Sequence, residues 1–403
     1  MSGLTRRDLI RSAAAMQMLG LLPGSALRAA ALAGVPGAAE TVLVVVQLSG
    51  GNDGLNTVVP WADDAYHRAR PVLSVSPGAV LKLTDHVGLH PALAALQPVW
   101  EEGDLGVVQG VGYPDPNRSH FRSMEIWHTA RTDDAPPTRG WLGEVAGGFG
   151  SGGALPTARV GARDLPLALA GAPSQVPAIG SLGDFVIESS GGLSASSERQ
   201  LLSTACTRTE GRSGEAAFIA EAYAAAFDCA RRLEEIGKSG TAGFPNGGMG
   251  RSLDLASQLI GARLGSRVLY VTQGGYDTHA GQNRSHPTLL RELGNSLAAF
   301  QEQLVRQGDA DRVVTLVFSE FGRRIHENAS GGTDHGAGNP VLLLGRPVAG
   351  GVTGHIPALD GAVDRDVPMS TDFRSVYVTL LDWLGAPAGR AVPGQFDRLP
   401  LLT

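Results

Sequence analysis

Lysine, cysteine and long apolar runs are all scarce in this 403-residue chain. Lys82 and Lys238 are the only lysines, so nearly all of the 33 basic residues are arginine, set against 39 acids for a net charge of −6. With no basic surplus and no charge run, the sequence argues against a nucleic-acid coat or a polybasic membrane binder. Cys206 and Cys229 are the only cysteines, and their spacing leaves open one disulfide or two buried thiols. No run of about 18 apolar residues occurs, so nothing anchors the mature chain in a membrane. Charged residues make up only 18% of the chain and hydrophobic ones 43%, too apolar for disorder and ample for a core. Glycine is the residue in surplus. Its 55 positions are about twice ordinary usage and show no collagen period, which leaves a globular, loop-rich protein.

The first residues read as an address. Arg6-Arg7 precede the short apolar stretch from Ala13 to Leu22, and small residues follow through Ala39. Paired arginines before a weak apolar core form a twin-arginine export signal, and that core is too short to span a bilayer as a mature helix. The expected organisation is a signal over residues 1–38 and a single domain over 39–403, periplasmic or secreted, with the twin-arginine export machinery as a partner.

The run Val42-Leu43-Val44-Val45-Val46 is apolar without alternation, as a strand buried on both faces requires. Leu105–Gln109, Arg267–Thr272, Arg312–Phe318 and Val341–Leu344 repeat the signature, with helical patterns over Pro91–Glu102, Ser252–Leu264, Thr288–Gln307 and Phe373–Leu384. Alternating strands and helices predict an α/β fold with a mostly parallel central sheet covered on both faces. Residues 139–250 are different, with Gly-rich stretches, a Ser/Gly patch over Ser189–Ser197 and a helix near Gly214–Ile236, and they read as an insertion or cap on that sheet.

Parallel sheets gather ligands beyond the carboxyl ends of their strands. Asp53, Asp277 and Glu320 sit at or just beyond such ends, each beside glycine, and three acids brought together there need positive charge between them. Asp277 and His279 are two apart on extended chain and project to one side. Asp334-His335 and His355 complete an inventory of four acids and three histidines that suits a pair of divalent ions: zinc, manganese or iron, with calcium or magnesium at an all-oxygen subsite. Taken singly, Asp53 is equally a helix N-cap and His355 an ordinary loop histidine.

Ser119 falls where the proline-rich coil from Tyr113 gives way to a helical pattern, a position that favours an anion and a metal-activated hydroxyl, or simply an N-cap. His120 beside it is a ligand or general-acid candidate. Asn52, Arg118 and Arg122 are the candidates for holding substrate oxygens. The glycine loop after the first strand is neither G-x-G-x-x-G nor a Walker loop, and no G-x-S-x-G elbow sits between a strand and a helix.

The motifs Leu48-Ser49-Gly50-Gly51-Asn52-Asp53-Gly54, Gly274-Gly275-Tyr276-Asp277-Thr278-His279, Ser319-Glu320-Phe321-Gly322-Arg323 and Gly332-Thr333-Asp334-His335-Gly336 resemble the twin-arginine-exported family known as domain of unknown function 1501, over nearly the whole mature chain. That family is similar to the alkaline phosphatase and sulfatase superfamily. The resemblance implies that fold, two metal ions and a serine nucleophile, with Asp53, Asp277, His279, Asp334, His335 and His355 as ligands and Ser119 as the attacking group. One residue separates Asp277 from His279 where the superfamily has three, and Glu320 occupies the strand end where it has Asp-His, so either Glu320 or Asp334 serves the second ion. A small anionic ester is the implied substrate and ester hydrolysis the implied activity. The alternative is a non-catalytic exported protein of the same fold that binds a glycan or an envelope partner.

Overall fold

The computed structural model describes residues 41–149, 155–172, 176–181, 243–360 and 366–403. The export signal, the Ser189–Ser197 patch, the helix expected near Gly214–Ile236 and both cysteines lie outside the described residues.

Strand β1 (Val42–Leu48) is buried at every position. Side chains alternate along a strand, so its apolar run serves two cores at once: Val42, Val44, Val46 and Leu48 point into one, Leu43 and Val45 into the other. Each buried aliphatic side chain contributes about 1.5–3 kcal/mol, so a polar residue in place of any of these six would be costly.

The strands that follow are β2 (Val58–Val59), β3 (Leu81–Lys82), β4 (Gly88–Leu89), β5 (Leu105–Gly112), β6 (Thr157–Val160), β7 (Ala178–Ile179), β8 (Val268–Gln273), β9 (Val313–Ser319), β10 (Arg323–Glu327), β11 (Thr333–His335), β12 (Asn339–Leu344), β13 (Gly351–Thr353) and β14 (Thr371–Asp372). The central sheet runs β13-β5-β12-β9-β1-β8-β6-β7, with β14 also on β5. Every pairing in it is parallel except those of β12, which runs antiparallel to β5 and β9. The reason is local. After β9 the chain makes the β10–β11 hairpin and re-enters the sheet at the end it has just left, so no crossover intervenes. From the middle stretch, β6 and β7 extend the sheet beyond β8, short strands that composition does not announce.

The principal helices are α1 (Asp64–Ala69), α2 (Gln97–Glu101), α3 (His120–Thr129), α4 (Trp141–Ala146), α5 (Gly248–Gly261), α6 (Gln282–Gln307), α7 (Phe373–Trp383) and α8 (Ala388–Ala391). In α6, Leu290, Leu293, Leu297, Phe300 and Leu304 recur at helical spacing and pack with α5 on one face of the sheet. Ile126 and Trp127 of α3, Trp141 and Leu142 of α4, and Phe373, Val376, Tyr377 and Leu380 of α7 cover the other. Helix α6 begins six residues before the pattern at Thr288 and takes Pro287 into its interior. The added turns carry Gln282 and His286, both buried. Among the described residues no helix is long and apolar enough to cross a membrane.

Candidate metal centre

β1, β8 and β9 end side by side, which brings the segments after Leu48, Gln273 and Ser319 together. The approach is close at Gly50, whose φ is +120° and where an added Cβ would lie 2.5 Å from the Asp277 amide nitrogen. Only glycine takes this backbone readily.

Arg323, at the start of β10 and buried, ties the three ends together. Its Nε donates to the Gly51 carbonyl at 2.6 Å, Nη1 to the Thr333 carbonyl at 2.8 Å, and Nη2 to the Tyr276 carbonyl at 3.1 Å, to Asp277 Oδ1 at 2.7 Å and to the Gly50 carbonyl. Burial works to raise the Asp277 carboxyl, but the hydrogen bond and charge of Arg323, with His335 and His279, hold it at about 2.

Three imidazoles converge on the same carboxylate oxygen. Asp277 Oδ1 lies 3.0 Å from His279 Nε2, 3.2 Å from His335 Nε2 and 3.5 Å from His120 Nε2, and the Nε2 atoms of His279 and His335 are 2.9 Å apart. The other nitrogen of each ring faces an outer acceptor: Glu320 Oε1 at 2.8 Å from His120 Nδ1, the Arg118 carbonyl at 2.8 Å from His335 Nδ1, and Asp334 Oδ1 at 3.4 Å from His279 Nδ1. The Arg118 carbonyl can only accept, so it fixes the His335 proton on Nδ1 and turns that ring's Nε2 lone pair inward, whereas His120 and His279 meet a carboxylate at each nitrogen. The His335 lone pair, the Asp277 carboxylate and the Nε2 atoms of His120 and His279 meet at separations that call for a bridging proton or cation. A proton or a metal ion would serve: the hydrogen bond to Glu320 raises the pKa of His120, whereas burial lowers that of His335. The spacing suits a metal: with bonds of about 2.0–2.1 Å, a tetrahedral ion sets its ligand atoms about 3.3 Å apart. His120, Asp277 and His335 each place a donor atom within 4.8 Å of the others. Outer acceptors that fix the imidazole tautomer are the usual companions of such ligands.

The remaining sequence candidates are placed as follows. Glu320 is buried, and its carboxylate accepts from the Gly50 N–H at 2.9 Å besides facing His120, with Ser319 Oγ 3.0 Å from its second oxygen. It stands behind His120, as Asp334 stands behind His279, where Asn328 Nδ2 also donates to Asp334 at 3.1 Å. Ser119 is the exposed N-cap residue of α3, and its side chain makes no capping hydrogen bond. Arg118 pairs with Asp366, and Arg122 with Glu125, Asp134 and the carbonyls of Thr132 and Asp133. Asn52 is buried under the site, donating from Nδ2 to Thr57 Oγ1 at 2.9 Å and meeting His286 Nε2 at 2.9 Å. His355 lies exposed beyond β13, outside the donor cluster.

Asp53 has a different environment from the histidine cluster. It is wholly buried, with Oδ2 2.7 Å from Arg70 Nη1 and accepting also from Gln282 Nε2, while Oδ1 has no hydrogen-bond partner. Burial pushes its carboxyl up, but Arg70, the field of His286 and the two hydrogen bonds bring it below the usual value. Arg70 is itself wholly buried and donates to the carbonyls of Ile325 and Arg324 at 2.8 Å each and to Asn56 Oδ1 at 2.7 Å. The pair thereby fastens the loop after β1 to the hairpin that carries Arg323 and His335. Sequence reading missed Arg70 and gave Arg323 no role, because in an arginine-dominated chain nothing local distinguishes a buried guanidinium from a surface one.

No curated protein matches the sequence. Solved structures similar to the chain include a sulfatase from Pseudoalteromonas sp. at 12% identity and a TM-score of 0.41, covering 95% of this chain and 74% of that one. A protein of the alkaline phosphatase superfamily from Vibrio parahaemolyticus is 10% identical with a TM-score of 0.36, over 95% of this chain and 77% of its own. A phosphonate monoester hydrolase from Silicibacter pomeroyi is 11% identical with a TM-score of 0.37, over 89% and 75%. Residues 40–398 match the family described as protein of unknown function, DUF1501, and the chain belongs to that family.

Proposed function

We propose that this protein is an exported, metal-dependent hydrolase of phosphate or sulfate esters that uses Ser119 as its nucleophile. The observation that carries the reading is the inward convergence of three imidazole Nε2 atoms on Asp277 Oδ1, each ring held from behind through Nδ1. His120, Asp277, His279 and His335 would hold the ion. Bound there, a divalent ion supplies charge for the non-bridging oxygens of the ester and eases ionisation of a nearby hydroxyl.

The chain's own residues supply the rest. Ser119 stands at the N-terminus of the ten-residue α3, immediately before His120. With no side chain capping this end, the first N–H groups and the helix dipole face solvent and suit the oxygens of an anion. The Ser119 oxygen attacks phosphorus or sulfur, the ester oxygen departs and takes up the serine proton as the alcohol, and water then cleaves the serine ester to regenerate the hydroxyl. Glu320 keeps His120 oriented and Arg323 keeps Asp277 ionised throughout. The paired arginines ahead of a short apolar stretch support export.

The test is turnover of aryl phosphate, phosphonate and sulfate esters by the mature protein with and without chelator. Ser119→Ala and His335→Ala should each lower kcat by at least about 100-fold with the fold retained. Undiminished turnover in either variant, or in chelator, would contradict the mechanism.

A further inference from the structure

We infer that the centre takes one divalent ion rather than two, and that buried arginines occupy the electrostatic places a second ion would fill. The inference rests on the proposed metal-dependent reading and narrows it. Three acids at adjacent strand ends need compensating charge, and the structure gives two of them a guanidinium and the third a hydrogen-bonded imidazole. Asp53 has Arg70 at 2.7 Å, Asp277 has Arg323 at 2.7 Å, and Glu320 has His120 at 2.8 Å.

The oxygens left over do not make a second site. Asp53 Oδ2 accepts from both Arg70 and Gln282, which leaves the carboxylate only Oδ1. One Glu320 oxygen accepts from the Gly50 N–H and faces His120, and the other lies against Ser319 Oγ. Asp334 is turned to Asn328 and to the back of His279. Two-metal sites set their ions about 3.5–4 Å apart. Here the neighbourhood of the first ion already holds the Arg323 guanidinium, with Nη2 on Asp277 Oδ1 and Nη1 3.4 Å from His279 Nε2. A second dication there would have to displace a buried cation whose three nitrogens already donate to the segments after β1 and β8 and to the start of β11. The donors that remain, imidazole nitrogens with one carboxylate oxygen, select a zinc-like ion over calcium or magnesium.

The experiment is metal counting on the full mature chain, stripped with chelator and titrated with zinc by calorimetry, with bound zinc measured by mass spectrometry after gel filtration. One equivalent is expected, not displaced by excess calcium. Two equivalents, or displacement by calcium, would overturn the inference and leave the metal-dependent reading standing. No bound zinc at all would overturn both. Asp53→Asn and His355→Ala should each keep the single equivalent, and His335→Ala should lose it. A fall in the count for either of the first two would show a ligand set wider than the cluster. His355 is exposed, so its variant remains informative if Asp53→Asn fails to fold.

Discussion

Arg70→Met tests whether the buried arginine braces the site. The substitution keeps much of the side chain's volume and removes its charge. Asp53 would then stand wholly buried, with one oxygen already unpartnered and the other keeping only Gln282. Breaking a buried pair from one side costs about 3–5 kcal/mol, because the remaining charge is neither solvated nor compensated. The carbonyls of Ile325 and Arg324 also lose their donors, so the upper half of that range is expected. Asp53→Asn leaves Arg70 with the Ile325 and Arg324 carbonyls and Asn56 Oδ1 as acceptors, so its cost should fall at or just below the low end of that range, about 2–3 kcal/mol. The double variant should cost less than the sum, with a coupling of about 2 kcal/mol. Urea unfolding of the four proteins in chelator measures this without any contribution from bound metal. Single costs below about 1 kcal/mol, or additivity within about 0.5 kcal/mol, would refute the brace. Coupling seen only when the four proteins are loaded with metal would refute the brace and mark Asp53 as a ligand.

Other perturbations follow from the same geometry. Gly50→Ala forces a Cβ into the Asp277 amide at positive φ and should cost about 2 kcal/mol or more in urea unfolding; a neutral effect would mean that the two strand-end segments are not in contact. Glu320→Gln removes the carboxylate behind His120 and should weaken zinc binding about 10- to 100-fold by competition with a chromophoric chelator, whereas unchanged affinity would deny the orienting role. His90 and His286 are lowered to about 4, in each case mainly by burial. The unfolded chain takes up these protons near 6.5 and the folded one only near 4, so stability is complete above pH 6.5 and is lost as pH falls from there to about 4. The loss is at most about 3 kcal/mol per ring, and a urea midpoint that stays constant between pH 7 and 4.5 would contradict it.

The sheet was legible because burial on two faces demands continuous apolar runs, and β1, β8 and β9 show them. The orientation of β12 was not, since an apolar run carries no direction and the β10–β11 hairpin that reverses the chain has mixed composition. Asp277 and His279 could be read as neighbours on extended chain, and their donor atoms do lie 3.0 Å apart, but through a tight turn in which the His279 N–H donates to the Asp277 carbonyl at 3.1 Å. The partners of Asp53 could not be read. Arg70 follows a six-residue helix, and Gln282 sits on turns of α6 that Pro287 hides from a propensity reading. Glycine marked the loops that converge, but which acid meets an ion and which meets an arginine is decided by distances that no local pattern encodes.

The most direct test of the histidine centre is zinc-edge X-ray absorption on the loaded mature protein. The account predicts a first shell of nitrogen and oxygen at about 2.0–2.1 Å with the outer scattering of two or more imidazoles, reduced by one ring in His335→Ala. A first shell without imidazole scattering, or a spectrum unchanged by His335→Ala, would contradict it.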